Sequence, residues 1–511
     1  MSTTFTITNR STSITIYPGE EAVPLLQPLI NLLTYEDEYV EETKTLGYVY
    51  DPDTDLLYVH KGVDLAYLKR LLINVEFVED SFDEFEQMNF EYEEIIPPRN
   101  NEQVDVINFI AGLNQHRENA NSRQIFLVKQ PGFGKTFCSS VGMCKFGAKT
   151  LIIMHRDSLR KQWLNSLYNM AGFSSHDVHE ITDSEELYDI AHNRHDFDYD
   201  VYLMTHATFR AGMKRIGNFN DARNICKNLK IGLKIVDEAH LEFRNTLLMD
   251  FMFNVCRNLY LTATDGRSSR EENSIFKHVF CKSIYYKPST LLTMDMPKKW
   301  VEYITVEINT NCKPNIYRYR VNSGRGMNPA SYGKWVIAYD KKQTHFKVCR
   351  ELLRMIYERD EKAKVLIFMP LIDLCSELAH FCTMGLNYDE SFPLDLNIKT
   401  INSNNTKSEN EYNKRADVIV TTIQSAGTGT DIPGITAIIC CSPYVSKITA
   451  EQVFGRIRYC GKVCQYYDIY DASVQMDRYW LKSRRKKLKD LALNVSHMTW
   501  TDDENSNGEG K

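Results

Sequence analysis

The chain has no Cys-x-x-Cys pair, no cysteine–histidine grouping at zinc-ligand spacing, no long uninterrupted apolar run and no short-period repeat. The first two absences argue against a zinc module or a disulfide scaffold, although thirteen cysteines are present. They are scattered, and Cys440 and Cys441 fall in an apolar, strand-like run, so reduced core thiols are expected. The third argues against a membrane span, which needs about 18 consecutive apolar residues. Nor does an early Lys/Arg-flanked apolar segment mark a signal peptide, so an intracellular, cytoplasmic setting is expected, with the nucleus left open. At roughly 150 residues per domain, a 511-residue chain suggests about three domains.

Charge is unevenly spread. Residues 1–98 carry twenty Asp/Glu against five Lys/Arg, and residues 500–511 four against one, while the whole chain is at −6. The centre is therefore about +12, a balance that suits a polyanion. The acidic front argues against that segment as the main nucleic-acid face and leaves partner-binding, regulatory or structural roles open for it.

The most informative stretch is Gln130-Pro131-Gly132-Phe133-Gly134-Lys135-Thr136. It lies between an apolar run, Gln124 to Val128, and a helix-like segment, Phe137 to Phe146, at a strand-to-helix turn where phosphate binds. Gly132 and Gly134 let backbone N–H groups turn inward, Lys135 can reach outer phosphates, and the Thr136 hydroxyl can hold Mg²⁺. The pattern is incomplete, because Lys129 stands where its first glycine is usual. Upstream, Gln103 offers both a donor and an acceptor that can read an adenine edge.

Downstream, the apolar runs Thr150 to Met154, Val201 to Met204, Lys234 to Val236 and Leu259 to Leu261, each followed by polar loops or helices, predict a parallel sheet with crossover helices. One strand ends in Asp237-Glu238-Ala239-His240, the next in Thr262-Ala263-Thr264. Asp237 can serve a Mg²⁺ shell and Glu238 can activate a water, though an acidic pair at a strand end can also be a helix cap. After a connector near Thr293 to Lys299, a second α/β series follows. It holds a Gly-rich loop, Thr422 to Pro433 with Gly429 and Asp431, and then Glu451-Gln452-Val453-Phe454-Gly455-Arg456-Ile457-Arg458. The basic run Lys482 to Lys489 reads as a solvated helix face, and Asp502 to Lys511 as a disordered acidic tail.

In order and spacing, G-K-T, D-E-A-H, T-A-T, S-A-G-T-G-T-D and Q-x-x-G-R across two α/β units resemble the superfamily 2 helicases and translocases over roughly residues 99 to 470. The D-E-A-H box, the compact size and the small front domain are similar to the UvsW branch of phage helicases and the related XPB-like and poxviral transcript-release helicases. The resemblance implies an α/β fold: two tandem RecA-like parallel-sheet domains, residues 99–288 and 289–477, behind an acidic α/β accessory domain (1–98) and before a basic helix and tail (478–511). It implies ATP and Mg²⁺ held by Lys135, Thr136, Asp237 and Glu238, with Arg456 as a finger and Gly429 and Asp431 near the ribose and the cleft. Arg458 is read as a second finger, because Tyr459 occupies the usual second-arginine position. His240, Thr262, Thr264 and Gln452 would couple nucleotide to strand; Arg156, Thr205, Thr208, Asn402 and Thr422 would touch phosphates.

The expected activity is an ATP-dependent DNA helicase or translocase acting along DNA or on branched recombination or replication intermediates, as a monomer. Alternatives are a transcript-release or RNA-remodelling helicase and a non-unwinding, ATP-gated nucleic-acid clamp.

Overall fold

The computed structural model describes residues 3–36, 44–79, 82–129, 132–263, 270–287, 299–312, 329–339, 341, 343–427, 432–444, 447–458 and 460–501. It divides into two compact units, Met1–Asp295 and Met296–Lys511.

The first unit opens with a mixed five-stranded sheet of β1 (Phe5–Asn9), β2 (Ser13–Tyr17), β3 (Tyr48–Asp51), β4 (Leu56–His60) and β5 (Val75–Glu79), in the order β3-β4-β2-β1-β5. The β3–β4 pair is antiparallel. Its turn uses the Asp51 carboxylate, which accepts from the Asp53 amide (3.2 Å) and the Thr54 hydroxyl (2.6 Å), the local bonding that suits Asp to turns. Alternating Ile7, Ile14, Ile16, Leu57 and Val59 pack with Leu26 and Ile30 into a core of their own.

Residues 82–98 then run past the amino ends of the next sheet's strands. Glu86 pairs with Lys149 (2.6 Å) and Lys230, the Asn89 and Phe90 amides donate to Asp200 (3.0 and 2.8 Å), and Phe90 stacks on Phe173. That sheet consists of β6 (Gln124–Val128), β7 (Thr150–Met154), β8 (Val178–Glu180), β9 (Val201–Thr205), β10 (Leu233–Val236), β11 (Arg257–Thr262) and β12 (Ile284–Tyr285). Its order is β8-β9-β7-β10-β11-β6-β12, with every pair parallel. Neighbouring residues go to opposite faces. Phe126, Leu151, Tyr202 and Tyr260 fill one layer; Ile125, Ile152, Leu203 and Leu259 fill the other. Burial on both faces is why these strands read as continuous apolar runs. The helices that matter for the site are α1 (Asn101–Ala111), α2 (Lys135–Phe146), α3 (Arg160–Ser166), α4 (His206–Ile216) and α5 (Phe243–Met252).

The front sheet is fastened to this domain by buried polar contacts. Ser11 receives a bond from Asn258 and gives one to the Val255 carbonyl (2.7 Å), and its amide donates to Asn254. Thr12 donates to the Asp250 carbonyl, and His60 lies 3.5 Å from the Asp250 carboxylate.

The second unit repeats the parallel plan with β13 (Val301–Ile308), β14 (Val365–Phe368), β15 (Ile398–Ile401), β16 (Val418–Thr421), β17 (Ala437–Cys440), β18 (Cys464–Asp471) and β19 (Asn494–Thr499). The order is β15-β16-β14-β17-β18-β13-β19, again all parallel. Two helices carry its functional candidates, α6 (Lys447–Phe454) and α7 (Gln475–Leu488).

Here the structure corrects the sequence reading of residues 478–511. The stretch up to Thr499 is part of the second domain, because β19 pairs with β13 and α7 packs through Trp480, Leu481 and Leu488, which are all buried. Arg484, read as solvated, is fully buried. It forks onto Asp468 with two 3.0 Å bonds, and Asp468 also accepts from the Tyr303 hydroxyl (2.6 Å).

Candidate functional site

The site is assembled at the carboxyl ends of β6, β10 and β11. Gly132 and Gly134 have φ of +83° and +97°, values that glycine adopts freely. At Gly134 a Cβ would also stand 2.6 Å from Gln103 Nε2 and 3.2 Å from Arg99 Nη2. Those two side chains hold the loop from outside. Arg99 Nη2 donates to the carbonyls of Gly132 (3.1 Å) and Phe133 (2.7 Å), and Gln103 Nε2 donates to Phe133 (2.7 Å). Pulling carbonyls outward turns loop N–H groups inward, toward an anion. Gln103 Oε1 accepts from the Arg99 amide (2.8 Å), so one N–H and one oxygen lone pair of Gln103 are left for a base edge.

Arg99 was missed on the sequence, where its position just before a helix cap carries no signature. The residue in place of the usual first glycine, Lys129, pairs with Glu102 and lies over the rings of Phe133 (4.9 Å) and Tyr286 (4.8 Å). It packs against the loop instead of lining its inner side.

Lys135 Nζ donates to the Lys129 carbonyl (2.9 Å), and Thr136 Oγ1 accepts from Gln162 Nε2 (3.0 Å). One residue on, Trp163 Nε1 donates to Asp237 Oδ2 (3.0 Å). Two adjacent residues of α3 thus position both groups expected at Mg²⁺. Asp237 Oδ1 accepts from the Glu238 amide (3.0 Å). Burial, and then the neighbouring Glu238, push the Asp237 carboxyl above the usual carboxylate range, against the pull of Lys135.

Glu238 has φ +51°, an uncommon conformation for a residue with a side chain. Its Oε2 is buried without a hydrogen-bond partner and lies 3.4 Å from His240 Nδ1. His240 Nδ1 meets the Thr262 hydroxyl at 2.9 Å. The turn is stitched to both neighbouring strands, with Asp237 N donating to Ile153 and Ala239 N to Leu261. An excess of buried negative charge, a hydroxyl held nearby and an unpartnered carboxylate oxygen form a donor set that fits Mg²⁺ with a nucleotide phosphate. Asp237 and Thr136 would hold the metal, which would neutralise phosphate charge when bound.

The residues expected at nucleic acid fare differently. Arg156 is exposed after β7. Thr205 and Thr208 are buried, and their hydroxyls meet at 3.0 Å while Thr205 caps α4. Thr422 spends its hydroxyl on Ser425 (2.9 Å), and Asn402 Oδ1 accepts from the Asn404 amide. These four side chains shape strand-end loops.

In the second domain α6 ends at Phe454, and the Arg456 and Ile457 amides close tight turns onto Val453 and Phe454. Positions 456 and 458 therefore lie beyond the helix, so helical spacing from Gln452 does not set where they stand. Arg456 is half-buried and Arg458 exposed. Thr264, Gly429, Asp431 and Tyr459 lie outside the described residues, as does the side chain of Gln452.

Three histidines line successive strand ends: His206 after β9, His155 after β7, and His240 after β10. Burial pushes His206 down to about 3 and His155 to about 4, and lowers His60 in the front sheet as well. Such groups are neutral in the folded chain and take up a proton only on unfolding. Their contribution is thus present above about 6.5 and is lost as pH falls from there toward the folded values. From pH 7.5 to 6, His206 alone is expected to cost about 0.8 kcal/mol. Asp477, raised by burial to about 6, works the other way and offsets about 0.4 kcal/mol over the same interval, and Asp237 is pushed in the same direction; the three depressed histidines together outweigh both. Urea midpoints at pH 7.5 and 6 check this, and equal midpoints would contradict it.

Tandem parallel sheets, one carrying a phosphate loop beside a strand-end acid pair, define a RecA-like nucleotide-binding protein. The family comparisons agree. Residues 82–267 match the type III restriction enzyme res subunit domain, and residues 344–460 the helicase conserved C-terminal domain. The chain belongs to superfamily 2 of the helicases, whose domains hydrolyse ATP.

Among solved structures, Saccharomyces cerevisiae Dbp5 bound to RNA and ADP BeF3 is similar at 14% identity and TM-score 0.50, over 78% of this chain and 90% of that one. A putative HsdR subunit of a type I restriction enzyme from Vibrio vulnificus matches at 14% identity and TM-score 0.48, over 78% and 68%. T4 UvsW matches at 14% identity over 98% and 99%, with a TM-score of 0.35. Comparison with curated protein sequences finds no match.

Proposed function

We propose that the protein is an ATP-driven motor that moves along or remodels DNA. The observation carrying the ATPase part is the Glu238 carboxylate, held at a strained backbone position beside Asp237 with one buried oxygen unpartnered. A clamp that only bound ATP would need Asp237 and Thr136 for the metal but no base, and Glu238→Gln separates the two. In this reading Gly132, Phe133, Gly134, Lys135 and Thr136 cradle ATP, Gln103 contacts the adenine, and Asp237 and Thr136 hold Mg²⁺. Glu238 orients and deprotonates the attacking water. His240 and Thr262, bonded to each other beside Glu238, transmit the state of the phosphate, together with Thr264 and Gln452; Gly429 and Asp431 lie near the ribose. Arg156 contacts a nucleic-acid phosphate, and Thr205, Thr208, Asn402 and Thr422 are the further phosphate contacts of this reading, at the strand-end loops they shape.

DNA is favoured by the match to a restriction-enzyme subunit over residues 82–267. An RNA substrate is the second reading, favoured by the likeness to an RNA-bound Dbp5. ATP turnover compared across single-stranded DNA, duplex DNA, forked or four-way junctions and RNA decides between them: stimulation by RNA alone would overturn the DNA assignment, and stimulation by none would overturn the motor.

Arg456 serves as the arginine finger and Arg458 as a second γ-phosphate contact, because charge spread over three oxygens rewards an added guanidinium. Arg456→Ala is expected to lower turnover by roughly 10³-fold and Arg458→Ala by about tenfold. Full activity in Arg458→Ala removes the second finger.

A further inference from the structure

Helix α7 sorts its charge by face. Arg484, Trp480 and Leu488 face inward, and the two 3.0 Å bonds from Arg484 to Asp468, with a third from Arg484 to the Tyr444 carbonyl (3.1 Å), fix the helix to the sheet. Arg478, Lys482, Arg485, Lys486 and Lys489 are all exposed, and none of the five forms an ion pair among the described residues. At ~3.6 residues per turn they fall within an arc of about 100° and extend along ~16 Å of helix. The exposed Asp490 stands four residues after Lys486, past the end of α7; within the helix the stripe has a single sign on a rigid support.

We propose that this stripe binds the phosphodiester backbone of a nucleic-acid duplex, as a surface separate from the strand-end loops. The complementarity is one of sign and rigidity. A duplex strand winds through about half a turn over ~16 Å of axis, so a straight helix meets roughly two or three of its phosphates, and the remaining cations add to the field around them. A rigid helix suits a duplex, which holds its phosphates at fixed positions, better than a flexible single strand, whose binding relies on stacked aromatic platforms. Tyr479, 65% exposed, borders the stripe with an aromatic ring, whereas Tyr470 near Arg485 is buried. The inference rests on the motor reading and gives that motor a grip on duplex beyond its tracking strand.

The test is a full-length variant with Lys482, Arg485, Lys486 and Lys489 all changed to Gln, none of which belongs to the ATP site. Binding of a 20-base-pair duplex without nucleotide is titrated from 50 to 200 mM salt, with DNA and RNA duplexes as separate arms. The log–log salt slope is expected to shrink by about 2 to 3, since each lost contact removes about 0.9, and duplex affinity at 50 mM to fall at least tenfold. ATP turnover at saturating single strand is expected to stay at the wild-type level, which shows the variant folded. An unchanged slope and affinity would overturn the proposal, and so would tighter binding. Because the binding arm uses no ATP, a wild-type protein without stimulated ATPase would count against the motor alone.

Discussion

Glu238→Gln is expected to reduce ATP turnover by roughly 10²- to 10⁴-fold, the range of a lost general base, while leaving nucleotide affinity within about tenfold. Gln keeps the length and shape of the side chain, so the turn at φ +51° and the Glu238 N–H bond to Asp237 persist. What is lost is the oxygen able to take a proton from water. Lys135, Thr136 and Asp237 are untouched, so phosphate and metal are still gripped. The variant should remain ATP-bound and hold nucleic acid longer than the wild type. Lys135→Ala is expected to fail one step earlier: its amine, now donating to the Lys129 carbonyl, is the loop's mobile cation, and its removal weakens nucleotide binding itself. A fluorescent-nucleotide titration beside single-turnover hydrolysis separates the two. Near wild-type hydrolysis by Glu238→Gln would remove Glu238 as the base.

How much of this was legible in the sequence follows from what each residue does. The phosphate loop and the Asp237–Glu238 pair could be read because their chemistry needs particular residues at strand ends, and the strands themselves were plain as apolar runs. The buttress could not. Arg99, Gln162 and Trp163 act through contacts over 26 to 74 positions, such as Trp163 with Asp237, which no local pattern reports. Thr205, Thr208, Asn402 and Thr422 were placed at phosphates because short polar side chains at strand ends serve either as caps or as ligands, and the same residue types suit both. The basic run was misread for Arg484, although Trp480, Arg484 and Leu488 share a helical face at i, i+4 and i+8, and a single inward arginine on it signals a buried pair. The early end of α6 falls at Gly455, directly after Phe454, a helix-stop signal that the two-finger reading passed over.

The front sheet gives the other large effect, and it concerns stability. Asp250 is fully buried at the end of α5 and binds Lys234 Nζ at 2.5 Å and the Tyr260 hydroxyl at 2.9 Å from both oxygens, with His60 at 3.5 Å. Burial alone would push its carboxyl up; Lys234 and His60 hold it below the ordinary value. Asp250→Ala leaves the Lys234 ammonium fully buried without its counter-ion and is expected to cost about 3–5 kcal/mol, a large share of a typical domain stability of 5–15 kcal/mol. Replacing both partners, Asp250→Leu with Lys234→Met, should restore most of that loss, because no charge is then left uncompensated. Removing residues 1–79 is expected to harm the same domain by another route, since it strips Ser11 and Thr12 from their partners and uncovers the apolar surface around Phe219 and Phe280 that Tyr58 and His60 cover. The acidic front domain is therefore expected to behave as part of the first RecA-like domain's fold, not as a removable regulator. Urea unfolding of the point variants and the soluble yield of the truncation test this, and a soluble truncation with an unshifted midpoint would show that the buried contacts at Asp250 seal nothing.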